Sequence, residues 1–265
     1  MRQLAREYKT SEATMRRIIK NDLRLFPYRI RKAHVLTPSM KKERLKNARN
    51  LLKWAEGRSF SQVIFSDEKL FDIEKAHNAQ NTRQLLPKGG CSTSQAAFVS
   101  RSAFPKSVMV WAGICSTGKT PLVFLDKGVK INKEVYVEKI IKGSLLPWAT
   151  SHFNGQPWTF QQDWAPAHGA KYTKDTLRKL KVDTWGREYW PSNSPDLNPL
   201  DFSIWSVLEQ RVSATTHTSV ESLKTALMRA WDKITMEELA ACVENFEKRL
   251  RACIRAGGGY FEHSL

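Results

Sequence analysis

Apolar positions along the chain change their period twice. Leu4, Ala5 and Tyr8 recur at helical spacing, then Lys9 and Thr10 interrupt them. Ser11 is placed to cap a second helix, Glu12–Lys20, whose inner side would carry Met15, Ile18 and Ile19. After Pro27 and Pro38, residues 40–54 again read as a helix, capped by Ser39, with Leu45, Ala48, Leu52 and Trp54 on its apolar side.

From residue 62 the period shortens. Gln62–Phe65 predicts a strand ending at Asp67, and Leu70–Ile73 a second run pairing with it. Val108–Ile114 and Pro121–Leu125 flank Ser116-Thr117-Gly118-Lys119 and predict a hairpin. A helix is expected over 132–148, a strand over Trp158–Gln162, a helix over 168–180 and a short strand over Arg187–Trp190. Asn198–Arg211, Val220–Ile234 and Met236–Ala256 complete the pattern as helices. Strands first, then alternating helices and strands, predict an α/β domain with a mixed sheet. No internal repeat interrupts it.

Charge divides the same chain differently. The 265 residues carry 43 Lys and Arg against 26 Asp and Glu, a net +17. Residues 1–58 hold 17 of the basic residues and five acids, so +12 of the excess sits there and only +5 in the other 207 residues. A basic arm on a nearly balanced body points to a polyanionic partner, with Arg24, Arg29, Arg31, Lys32, Lys41, Lys42, Lys46 and Arg49 suited to phosphate contact. Helix, tight turn, polar cap and basic helix form the helix-turn-helix pattern, and its DNA-facing side would carry Ser11, Thr14, Arg16, Arg17 and Lys20. An ordinary amphipathic helical pair has the same pattern.

Other classes drop out. The longest apolar stretches, such as Val108–Cys115, are far shorter than the ~20 residues a membrane span needs, and MRQLAREYKT has no signal-peptide core. Cys91, Cys115, Cys242 and Cys253 show no C-x-x-C spacing, which disfavours a disulfide framework or a thiolate zinc site and suits a reducing, intracellular setting.

Three acids carry the candidate chemistry. Asp67 and Asp163 each end a predicted strand, and Asp201 opens a helix after a Pro-rich turn. Acids at the ends of neighbouring strands can converge, and such oxygen-rich sites suit Mg²⁺ or Mn²⁺ in phosphodiester chemistry. Taken singly, each has a plainer role: a turn residue, or for Asp201 a carboxylate favourable to a helix dipole.

Their flanks distinguish them. V-I-F-S-D-E-K surrounds Asp67, F-Q-Q-D-W-A-P-A-H surrounds Asp163, and W-P-S-N-S-P-D-L-N-P-L-D leads to Asp201. Together with the Val-Met-Val-Trp-Ala-Gly strand between them, these closely resemble the catalytic motifs of mariner-type transposases, in the Tc/mariner superfamily. The resemblance covers nearly the whole chain. The Ser-Pro-Asp-Leu-Asn-Pro run is its most specific part.

The resemblance implies a ribonuclease-H-like core whose catalytic and metal-binding triad falls on Asp67, Asp163 and Asp201, holding two Mg²⁺ or Mn²⁺ ions. Thirty-seven residues separate Asp163 from Asp201, and the last ligand is Asp rather than Glu, as in an Asp-terminated mariner-like lineage with a long spacer. Asp196 competes for the third position but more naturally orders the turn. His168 matches a family histidine that orients the second motif, approaches DNA or packs inside. The implied activity is cut-and-paste transposition: hydrolysis at terminal inverted repeats, then attack of the freed 3′-hydroxyls on target DNA at TA sites. A homodimer in the nucleus follows, with residues 81–106 matching a clamp-like insert between subunits.

The expected organisation is thus a partial helix-turn-helix over 1–25, a basic linker over 26–58, the catalytic domain over 59–215 and C-terminal helices over 216–265. Two departures qualify it. Trp164 replaces the family's Asn or small residue and is expected to crowd the metal site. The family also has two helix-turn-helix units, and this chain begins inside the second, as expected of a truncated copy with weakened repeat binding. A catalytically inactive or domesticated DNA-binding derivative, or another ribonuclease-H-like nuclease, are the rival readings.

Overall fold

In the computed structural model, the described residues are 2–26, 35–73, 106–125, 131–213, 215 and 217–265. They form two units, 1–35 and 36–265.

The first unit holds α1 (Arg2–Glu7) and α2 (Glu12–Arg17), the latter running on through a wider turn, Ile18–Asp22. Lys9 makes the sharp turn between them at φ +46°, and Ser11 caps α2 by accepting from the Thr14 amide at 3.0 Å. Ala5 and Met15 are buried as expected, whereas Leu4 and Tyr8 remain exposed.

The second unit is built on a six-stranded sheet. Its strands are β1 (Val63–Asp72), β2 (Ser107–Cys115), β3 (Gly118–Lys119), β4 (Val123–Leu125), β5 (Thr159–Gln161) and β6 (Asp183–Thr184). β3, β2, β1, β5 and β6 lie side by side, with β4 also on β2. β1 and β2 pair antiparallel, whereas β5 joins β1 in parallel and β6 joins β5 in parallel. Two expected strands change. Leu70–Ile73 does not pair with Gln62–Phe65 but continues it, because β2 is long enough to satisfy one ten-residue strand. The strand expected over Arg187–Trp190 is a turn; pairing to β5 falls on Asp183–Thr184, which leaves Trp185 and Trp190 free to pack in the core.

Alternation on the central strands sorts the helices onto two faces. Val63, Phe65, Val108, Val110, Ala112 and Ile114 face one core, shared with α3 (Pro38–Trp54), α8 (Trp205–Ser213), α9 (Val220–Asp232) and α10 (Met236–Arg255). Ile64, Trp111 and Phe160 face the other. There they meet a long helical run made of α4 (Lys133–Val135), the wider-turned Tyr136–Leu145 and α5 (Leu146–Phe153). α6 (Pro166–Gly169) and α7 (Lys171–Lys179) complete that layer. The result is the expected mixed sheet between helical layers. Phe246 lies at the heart of the first core, edge-on to Phe60 and Phe65 at 4.9 and 4.8 Å and stacked near Trp185 and Trp190.

The segment expected as a basic linker divides. Residues 36–58 belong to the second unit, where α3 buries Arg44, Asn47, Ala48 and Leu51 against it. Its cap is Thr37, not Ser39, because Pro38 occupies the first helical position, where a missing N–H costs nothing. Among the described residues no helix is long and apolar enough to cross a membrane.

Candidate active site

The parallel register between β1 and β5 brings two of the carboxylates level. Phe65 lies opposite Gln161, so Asp67 and Asp163 each stand two residues further along adjacent strands. Asp163 follows the end of β5 as expected. Asp67 does not end its strand: it sits mid-β1 opposite Ala112, at the point where its parallel neighbour stops. Gln161 locks this register, accepting from the Ser66 amide with its side chain and from the Ser66 hydroxyl with its carbonyl.

The third carboxylate arrives on the segment after the Pro-rich turn. Asn198 donates to the Ser66 carbonyl at 3.1 Å and caps the following helical turn by accepting from the Leu200 amide. Asp201 lies in that turn, Leu200–Ile204. One turn on, the Trp205 indole donates to Asp67 Oδ2 at 2.7 Å. Asn198 and Trp205 therefore bracket Asp201 with two bonds to β1.

Burial, then the charges of Asp201 and Glu68, push the Asp67 carboxyl up to about 8, against the opposing Trp205 hydrogen bond. Asp163 moves the other way. Burial favours its neutral form, but the hydrogen bond and charge of His168 and the Ala165 amide hold it below the ordinary value. His168 Nδ1 lies 2.6 Å from Asp163 Oδ1, and its Nε2 lies 3.3 Å from Glu68 Oε1. Burial works against a charged imidazole, yet these two acids raise it to about 9. The tilted Tyr136 ring packs on it at 4.0 Å. His168 is thus an interior clasp between the first and second motifs.

The charge of Asp201 acts on Asp67, while Asp163 meets His168, which also reaches Glu68. Among the described residues no group of three His, Cys, Asp or Glu is arranged to hold a metal ion. The side chains fit a divalent cation in character: hard oxygens, with Asp201 close enough to disfavour the ionisation of Asp67.

Asp196 has another task. The buried Arg44 guanidinium donates to Asp196 Oδ1 and Oδ2 at 2.8 and 2.6 Å, to Ser194 Oγ at 2.7 Å and to the Gly258 carbonyl at 2.9 Å. Gly258 has φ +80°, and a Cβ there would overlap the Lys41 carbonyl of α3. This fork ties α3 and the end of α10 to the turn that presents Asp201. Charge counting does not distinguish Arg44 from the other basic residues of residues 1–58. Only its spacing with Asn47, Ala48 and Leu51 marks it as inward.

Trp164, expected to crowd the metal site, donates its indole N–H to the Trp190 carbonyl at 2.8 Å and packs on the first core. Glu68 and Trp205 were not singled out by sequence, although each lies inside or beside a quoted motif; Asn198 was expected as the cap of the helix carrying Asp201, and its bond to the Ser66 carbonyl was not.

In the first unit, Ser11 and Thr14 bond each other at the start of α2, and Arg16 lies 3.6 Å from Glu12, which also meets Arg2. Arg17 and Lys20 lie on the same helical run. Arg29, Arg31 and Lys32, and residues 81–105 of the clamp-like insert, lie outside the described residues.

No protein-family model matches the chain. The transposable element Tcb1 transposase of Caenorhabditis briggsae is 30% identical over 219 residues, covering 82% of this chain and 76% of that protein. The transposable element Tc3 transposase of Caenorhabditis elegans is 29% identical over 250 residues, covering 94% and 71%. Among solved structures, the Mos1 transposase paired-end complex with left transposon end matches with a TM-score of 0.81 at 21% identity, covering 98% of this chain and 74% of that one. The catalytic domain of Mos1 mariner transposase matches at 0.68 and 20% identity over 88% of this chain and all of its own, consistent with the ribonuclease-H-like core. The chain belongs to the Tc/mariner superfamily of cut-and-paste DNA transposases.

Proposed function

We propose that Asp67, Asp163 and Asp201 are the catalytic carboxylates and hold two divalent ions, Mg²⁺ or Mn²⁺. The observation that carries this reading is the level placement of Asp67 and Asp163 on adjacent strands with Asp201 coupled to Asp67. Relatives in structure have been solved with Mn and with Mg, which supports the choice of metal. Bound there, the metal would activate a water or 3′-hydroxyl and stabilise the leaving oxygen. The protein's own part is positional. Trp205 fixes one oxygen of Asp67, Asn198 anchors the turn carrying Asp201, and His168 holds Asp163 in its anionic form.

The DNA partner is the transposon's terminal inverted repeats and a TA target, gripped in part by a helix-turn-helix over α1 and α2 with Ser11, Thr14, Arg16, Arg17 and Lys20 facing the groove. The basic arm and the paired-end and strand-transfer complexes of Mos1 support this. Arg29, Arg31 and Lys32 would add phosphate contacts beyond it. A homodimer acting in the nucleus, with the insert bridging subunits, completes the proposal.

A Mn²⁺-dependent nicking assay on a terminal-repeat duplex, comparing the chain with Asp163→Ala, tests it. Nicking by the chain and none by the variant is expected. Equal nicking by both would remove Asp163 from the site.

A further inference from the structure

Trp164 directly follows the second proposed catalytic carboxylate, and besides packing on the first core it has charged neighbours at its ring. Its Nε1 is satisfied by the Trp190 carbonyl, which fixes the ring in one orientation. Against that ring stand two cations, the Arg187 guanidinium 5.1 Å and Lys174 Nζ 5.7 Å from its centre. Both cations are exposed, and neither forms an ion pair with a carboxylate among the described residues. The ring itself is only partly covered.

Topology explains why they meet. Asp163 and Trp164 leave the end of β5, and Arg187 follows the end of β6, which runs parallel to β5. Lys174 lies in the first half of α7, the helix that connects the two strands. All three side chains therefore gather at the sheet end that also presents Asp67 and Asp163. A structural role would account for the indole hydrogen bond. It does not account for two exposed, carboxylate-free cations held at one aromatic ring beside a phosphodiester-cleaving site.

We propose that Trp164, Lys174 and Arg187 form a platform for one unstacked nucleobase and its phosphate on the DNA strand at the carboxylate site. An indole accepts any base on its face, and basic groups around it take the backbone, the combination by which single-stranded nucleic acid is held without sequence choice. The platform suits a strand whose end has been opened for cleavage, and it rests on the DNA-cleaving assignment of the neighbouring carboxylates.

Binding is measured with the full chain in Ca²⁺, so that no strand is cut, using two labelled duplexes of equal length. One is blunt and the other ends in a short single-stranded run of thymidines. Trp164→Ala should weaken the overhang duplex about tenfold, the scale of losing one stacked base, and leave the blunt duplex unchanged. Trp164→Phe, which keeps a stacking face, should retain most of the preference although it loses the bond to Trp190. Lys174→Gln with Arg187→Gln, both at exposed positions, should weaken the overhang duplex and flatten its salt dependence.

The platform is overturned if Trp164→Ala binds both duplexes as the unaltered chain does, or if it loses both equally while Trp164→Phe does too. If the unaltered chain binds both duplexes well and without preference, the platform alone fails and DNA binding stands. If it binds neither, the DNA assignment fails and takes the platform with it.

Discussion

Asp67 and Asp163 stand level on neighbouring parallel strands, yet their surroundings drive them apart. Asp67 is pressed by burial and by Asp201 and Glu68 toward its protonated form, opposed by hydrogen bonds from the Trp205 indole and the Glu68 backbone. Asp163, about half exposed, is held anionic by His168 and the Ala165 amide. Chemically the two acids are identical, so the difference lies wholly in what each motif packs against. One half of the site is a repelling acid pair that a cation would relieve. The other half already has its counter-charge inside the protein, so a metal ion held as proposed would have to compete with His168 for it.

The largest effect that sharpens this contrast is catalytic. Asp67→Asn and Asp163→Asn should both lose Mn²⁺-dependent nicking by about three orders of magnitude or more, since each removes a ligand charge from ions that supply several kcal/mol. Single-turnover cleavage rates on a terminal-repeat duplex measure this. Near-normal cleavage by either variant would separate that residue from the chemistry.

Next in size is the support behind Asp201. Arg44→Met leaves Asp196 without its fork and should cost about 3–5 kcal/mol of stability, the usual penalty for breaking a buried pair. The double variant Arg44→Met with Asp196→Leu should recover much of that, because the uncompensated charge is gone. Urea denaturation of both proteins tests the pair. A single variant as stable as the parent would mean that the turn before Asp201 does not depend on α3.

Asp163→Asn should also destabilise the metal-free fold, by about 1–3 kcal/mol, because a buried His168 loses its charged partner. Asp67→Asn should not destabilise it. Denaturation in EDTA compares the two, and equal losses would dissolve the contrast between the halves of the site.

How much of this was legible in the sequence depends on the range of the interaction. Period and turn residues were enough for the hairpin from β2 to β4 and for α9 and α10, because both are local. They failed at Leu70–Ile73 and Arg187–Trp190, where the pairing partner, not the segment, decides what is strand. The motifs marked all three carboxylates and Asp196's ordering of the turn. They did not reveal that Arg44, 152 residues from Asp196, is the group that does the ordering. Charge counting does not set Arg44 apart from the other basic residues of the first 58, and although its spacing with Asn47, Ala48 and Leu51 turns it inward, its partner lies far along the chain. Trp164 was noticed for its size, but its direction is set by the Trp190 carbonyl, which no local pattern contains.

The dependence on pH is the most discriminating test, because its sign differs between the two acids. A carboxyl raised from 3.8 to about 8 binds its proton more tightly folded than unfolded. Its contribution to stability is therefore present at low pH and lost as pH rises from about 4 to about 8. In EDTA the unaltered chain should lose stability across that window, and Asp67→Asn, which cannot titrate, should lose less. The two proteins should melt alike near pH 4 and diverge toward pH 8, with the variant the higher. Asp163, whose carboxyl is lowered, contributes in the opposite sense: its stabilisation is present above the ordinary carboxylate range and fades in acid. A melting curve for Asp67→Asn parallel to that of the parent from pH 4 to 8 would mean that Asp67 ionises normally.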